Sequence, residues 1–142
     1  MKRPYTLSVF CILCVAWVAA AATQAGGTIW DGVYTDAQSK RGEAVYAERC
    51  ASCHAPDLSG MDQAPSLSSA DFMTEWTDQS ANDLFERIRV SMPADKPGSL
   101  ERTQVADLLA FMLQKNSIPA GAAELPADAG TLKAIKFVGK KP

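Results

Sequence analysis

The chain has 142 residues, 47% of them hydrophobic and 21% charged, which is one domain's worth of ordinary folded protein and excludes a disordered chain. Its net charge of −2 carries no basic excess that would suit nucleic acid as a partner. Acidic side chains concentrate in residues 23–116, whereas Lys133, Lys136, Lys140 and Lys141 make the last stretch basic. A solvated surface and a partner-facing asymmetry are both readings of that bias.

Lys2 and Arg3 precede an apolar run from Leu7 to Val18 that ends in the small residues Ala19 to Ala22, the pattern of a secretory signal peptide cleaved after Ala22 or after Ala25. The run is shorter than the roughly 20 strongly apolar residues of a membrane span, so no membrane insertion is expected after cleavage. Leu13 stands where a lipoprotein signal carries a small residue before its cysteine, which argues against an anchor at Cys14. Cys11 and Cys14 leave with the signal, so the periplasm is the expected compartment and Cys50 and Cys53 are the thiols of the exported chain.

Residues 23–34 read as an extension packed on the domain through Trp30 and Tyr34. Thr35 followed by Gln38 forms a capping-box pattern, and Asp36 to Arg49 then predicts a helix with Ala37, Val45 and Tyr46 as buried candidates. Residues 55–68 hold two prolines, a glycine and several Ser and Asp residues, which predicts a loop. A short helix is expected over Asp71 to Trp76. Another starts at Ser80, with Asp83 as capping partner and Leu84, Phe85 and Ile88 along one face. It stops near Ser91, because Pro93 disfavours helical geometry at Met92. The strongest helix runs from about Leu100 to Gln114, where Val105, Leu108, Leu109, Met112 and Leu113 form a core-facing stripe. Residues 117–142 are expected to be mostly irregular apart from a short ordered piece at LKAIKF, and no stretch alternates well enough to predict a sheet.

The chain's single histidine lies in CASCH, residues 50–54, at the end of the first predicted helix. A thioredoxin-like dithiol needs a strand before the motif and a βαβ setting. A zinc site needs a fourth ligand and converging donors, which adjacent Cys53 and His54 do not supply. CxxCH is instead the signature of covalent haem attachment: thiols three residues apart project from one side of a helical turn, and the next residue places its imidazole under the iron. With His54 as fifth ligand the sixth is not another histidine, since the chain has none. Methionines remain. Met112 lies on the core stripe and Met73 in a short helix beside Phe72, so both read as packing. Met61 follows His54 too closely to travel round the haem edge. Met92, 38 residues on and braced by Pro93, is favoured, with Met61 next.

Over residues 35–116 the sequence resembles the class I cytochromes c, on RGEAVYAERCASCH, RVSMP and ADLLAFML. The resemblance implies an all-α fold with three to four helices around one haem c, attached through Cys50 and Cys53. It implies that Gly42 and Tyr46 cross Leu108 and Phe111, that the Pro65 carbonyl accepts a hydrogen bond from His54, and that Leu67 touches the haem. Trp76 either approaches a haem propionate or is a core tryptophan. WDGVYTDAQ and RVSMPADKPGSL are further similar to small exported cytochromes associated with quinoprotein (PQQ-dependent) dehydrogenases. Glu101 departs from the family's Ser or Thr helix cap, with Ser99 as the alternative cap. The acidic body departs from a mitochondrial-type docking mode.

A six-coordinate iron leaves no open position for substrate, so the expected function is periplasmic electron transfer rather than catalysis. Electrons would come from a dehydrogenase and pass to a terminal oxidase or second cytochrome. One alternative is a tightly bound cytochrome subunit of a dehydrogenase complex, docked through Trp30 and the lysine-rich tail. The other is a haem enzyme or gas sensor with a displaceable sixth ligand.

Overall fold

The computed structural model describes residues 27–141. The expected signal peptide over residues 1–22, its cleavage site and the start of the extension lie outside the described residues. In chain order the elements are β1 (Gly27–Thr28), α1 (Asp36–Arg49), α2 (Ala51–His54), α3 (Ala70–Trp76), α4 (Ala81–Ser91), α5 (Arg102–Lys115), α6 (Ala129–Ala134) and β2 (Ile135–Lys136). Among the described residues no helix is long and apolar enough to cross a membrane.

Thr35 starts α1 as expected, its hydroxyl accepting from the Gln38 amide N–H at 3.1 Å. The Gln38 side chain does not return to Thr35. It is buried, donating to the Leu125 carbonyl at 2.9 Å and accepting from the Leu125 N–H at 2.7 Å. The inner face of α1 is therefore Gln38, Ser39, Gly42 and Tyr46. The expected Ala37 is exposed and Val45 only half-buried. Polar groups are tolerated on that face because each has a partner, Ser39 donating to Gln114 Oε1 at 2.8 Å.

α1 and α5 form the main helix pair and cross at Gly42. A Cβ there would sit 1.9 Å from the Asp107 carbonyl oxygen and 2.9 Å from Phe111 Cβ, so only glycine permits this approach. One turn on, the Tyr46 and Phe111 rings meet with centroids 5.3 Å apart. α5 is buried on almost every side, with Val105, Ala106 and all of Leu108 to Leu113 inside. A helix apolar nearly all round belongs at the centre of the core. It begins at Arg102 rather than Leu100: Glu101 is the N-cap, its N–H bonded to Gln104 Oε1 at 2.9 Å. Ser99 is not the cap but accepts from Arg49 Nη2 at 3.0 Å. At the start of α4, the Ser80 N–H and hydroxyl both donate to Asp83 Oδ2, at 2.8 and 2.7 Å. These bonds hold the Asp83 carboxyl below its usual range.

As expected, the tail is mostly irregular apart from a short ordered piece over LKAIKF, where α6 runs into β2, but a small sheet exists where none is expected. β2 pairs in parallel with β1, Gly27 opposite Ile135 and Thr28 opposite Lys136. Leu125, Leu132, Ile135 and Phe137 are core residues. Trp30 Nε1 donates to the Val138 carbonyl at 2.9 Å, and Tyr34 Oη donates to the Ile118 carbonyl at 2.6 Å. The extension and tail thus clamp each other across the domain. Strands of two residues leave no alternation to read in the sequence.

Candidate functional site

The CASCH turn follows α1 directly, Cys50 being both the C-cap of α1 and the N-cap of α2. The N–H groups of Cys53 and His54 both donate to the Cys50 carbonyl, at 3.1 and 2.9 Å, so the two thiols are one helical turn apart. Neither is in a disulfide; Cys53 is exposed and Cys50 half-buried. Burial pushes the Cys50 thiol up to about 11, against the pull of Arg49 and with help from Cys53.

His54 is buried, with 8% of its surface exposed. Its Nδ1 lies 2.9 Å from the Pro65 carbonyl oxygen. A carbonyl only accepts, so Nδ1 carries the proton and Nε2 keeps the lone pair a metal requires. The loop that brings Pro65 back depends on Gly60, at φ +82, where a Cβ would fall 2.6 to 2.8 Å from the backbone of Ala64, Pro65 and Ser66. The next residues are pinned as well. The Ser66 hydroxyl and the Leu67 N–H donate to the Leu58 carbonyl at 3.1 and 2.9 Å, and Asn116 Nδ2 donates to the Leu67 carbonyl at 2.9 Å.

Met92 is the C-cap of α4, with the extended backbone (φ −120, ψ 152) that a following proline favours. It is half-buried against the core. Met61 is 45% exposed in a tight turn, where its backbone exchanges hydrogen bonds with Ala64 at 3.1 and 2.8 Å. Met112 is a core residue of α5. Trp76 is half-buried between Phe72 and Phe137, with ring centroids at 6.4 and 6.5 Å. The Arg49 bond to Ser99 ties the residue before Cys50 to the segment after Met92.

This donor set fits a haem: two unpaired thiols one turn apart, an imidazole whose Nδ1 is already engaged, and a half-buried thioether. Leu67, Met73 and Trp76 supply partly covered apolar surface packed on the core. A surface groove of about 450 Å³ where the tail crosses α1 and α5 shares no lining residue with the CASCH turn. Residues 37–112 match the family model described as cytochrome c oxidase, cbb3-type, subunit III.

The chain belongs to this cytochrome c family.

The cytochrome therefore has the all-α cytochrome c fold and carries covalent haem c, with Cys50 and Cys53 at the attachment spacing. Electron transfer through that haem is its chemistry. No match was found among curated proteins. Among solved structures, the sulfane dehydrogenase SoxCD from Paracoccus pantotrophus is similar, at 23% identity and a TM-score of 0.47, over 63% of this chain. The cytochrome covers about half, 53%, of that chain.

Two features of the site are not evident from the motif. Tyr46 is expected to be buried at the crossing with Leu108 and Phe111, but no role is expected for its hydroxyl, which is 2.6 Å from the Ala55 carbonyl and 3.2 Å from that of His54. Burial, with Cys50 and Asp57 nearby, pushes its phenol up to about 12, so it remains a donor. The signal was available: a buried tyrosine, unlike a phenylalanine, needs a partner for its hydroxyl. Ala55 itself adopts φ 62 and ψ 152, a region populated almost only by glycine and costing on the order of 1–3 kcal/mol. Nothing in an alanine's identity announces that.

Proposed function

We propose that the cytochrome is an exported, periplasmic electron carrier whose iron is held between His54 Nε2 and Met92 Sδ. The observation that carries the ligand assignment is the Pro65 carbonyl 2.9 Å from His54 Nδ1. It selects the tautomer and fixes the ring through its own partner. The half-burial of Met92, against the exposure of Met61 and the core position of Met112, supports the sixth ligand. Haem iron supplies one-electron chemistry, and methionine ligation raises its potential. The polypeptide's part is positional: Pro65 orients the imidazole, Arg49 and Ser99 tie the two ligand segments together, and Leu67 and Trp76 contribute apolar surface that excludes water. Cys53 is exposed, so the attachment edge lies at the surface, where a redox partner would approach.

A dehydrogenase, of the quinoprotein kind by sequence resemblance, is proposed as donor. A terminal oxidase or second cytochrome is proposed as acceptor, and the name of the matched family supports the oxidase. A permanent dehydrogenase subunit is the second reading, and it rests on exposed Lys133, Lys136 and Lys140. Trp30 supports it less than expected, because its indole is spent on Val138.

The reduced cytochrome should fail to bind carbon monoxide at neutral pH, and Met92→Ala should bind it. Ready binding by the unaltered protein would show an open or displaceable sixth site and favour a sensor or enzyme. Purification from the periplasm as a lone chain supports the carrier; a stable stoichiometric complex supports the subunit.

A further inference from the structure

The residue that follows His54 is one of the non-glycine residues held at positive φ beside the site. Ala55 holds φ 62 and ψ 152, which an L side chain adopts only when the surroundings impose it. Its carbonyl has two partners, Tyr46 Oη at 2.6 Å and the Leu58 N–H at 3.2 Å. The His54 carbonyl is likewise approached by Tyr46 Oη at 3.2 Å and by the Gly60 N–H at 3.0 Å. One phenol therefore serves the two carbonyls that flank the backbone turn out of CASCH. The residue is 2% exposed, and its ring packs at a tilt against Phe111, beside the close crossing at Gly42. A buried ring gripped by two helices presents its hydroxyl from a fixed point.

We propose that Tyr46 is a positioning residue for the His54 imidazole: its O–H, donated to the Ala55 carbonyl, holds Ala55 in its positive-φ conformation and thereby sets the direction in which His54 presents Nε2. Pro65 fixes the ring from its Nδ1 side, while Tyr46 fixes the backbone from which the ring hangs. Loss of the hydroxyl leaves the ring packing in place but lets Ala55 relax toward an ordinary conformation, and the turn with it. The proposal rests on the reading of His54 as the iron ligand, so its test needs one measurement that does not depend on iron.

The haem-loaded variants Tyr46→Phe, Ala55→Gly and the double variant separate latch from packing. Glycine tolerates φ 62 without support, so it removes the need for the latch. In Tyr46→Phe, amide hydrogen exchange at Leu58 and Gly60 is expected to quicken about tenfold, as for one lost buried hydrogen bond. Amides in the middle of α5 should be unaffected. The electron paramagnetic resonance of the oxidised protein, which reads axial-ligand orientation, should split into two low-spin species. In the double variant both readouts should return to those of Ala55→Gly alone. Unchanged exchange in Tyr46→Phe, or no rescue by Ala55→Gly, overturns the latch. Faster exchange with an unaltered resonance overturns the positioning of His54 but leaves the latch on the turn. A wild-type resonance without histidine ligation overturns the ligand assignment itself.

Discussion

Replacing Gly42 by alanine sets two effects of opposite sign against each other, and the structure decides between them. Alanine is the better helix former by about 1 kcal/mol, so an exposed site would gain stability. Here the added Cβ would lie 1.9 Å from the Asp107 carbonyl oxygen, 2.5 Å from its carbon and 2.9 Å from Phe111 Cβ. Ordinary contact begins near 3.4 Å, so α1 and α5 must part by roughly 1.5 Å. The obstacle is backbone inside α5, which cannot swing aside as a flexible side chain would. Overpacking of this kind costs typically 1–3 kcal/mol, occasionally more. Parting the helices also draws Tyr46 off Phe111, an aromatic contact worth about 0.5–1.5 kcal/mol. The net expectation is a loss of about 0.5–3.5 kcal/mol. Equilibrium urea unfolding of the haem-loaded protein, followed by far-ultraviolet circular dichroism, measures it. A Gly42→Ala protein as stable as the parent, or more so, would refute the close crossing.

Phe137→Ala should destabilise the fold by about 3–5 kcal/mol, as for a fully buried aromatic. A loss below about 1 kcal/mol in the same assay would mean that the tail is not part of the core. Alkaline pH should also weaken the fold. Burial and Asp36 push the Tyr34 phenol up to about 12, and burial pushes that of Tyr46 up to about 12, from 10. Folding favours the protonated phenols, so their contribution is complete below pH 10 and is lost as pH rises to 12. Each accounts for about 2–3 kcal/mol over that window. Tyr34→Phe should flatten the decline between those pH values; an unchanged slope in unfolding free energy against pH would contradict it.

What could be read from the sequence was local. Thr35, and the pair Ser80 and Asp83, mark helix starts because a cap and its partner stand three residues apart. The α5 stripe is visible because its period is intrinsic to the helix. CASCH carries its own chemistry, and Pro65 was reached through family resemblance rather than geometry. The misreadings involve partners distant in sequence. Gln38 reads as a capping partner and neither it nor Ser39 is among the expected buried positions, yet both are buried, because Leu125 and Gln114 satisfy them from 87 and 75 residues away. The pairing of β1 with β2 joins the two ends of the described chain through two residues each. Ala55 reads as an ordinary loop residue, because its conformation is imposed by Tyr46 and Leu58 rather than by itself.

The account turns on iron held by His54 on one side and Met92 on the other. The near-infrared sulfur-to-iron charge-transfer band of the oxidised protein, recorded for the parent, Met92→Ala and Met61→Ala, tests it most directly. The band should be present in the parent and in Met61→Ala and lost in Met92→Ala. Its persistence without Met92, its loss without Met61, or its absence from the parent would contradict the assignment.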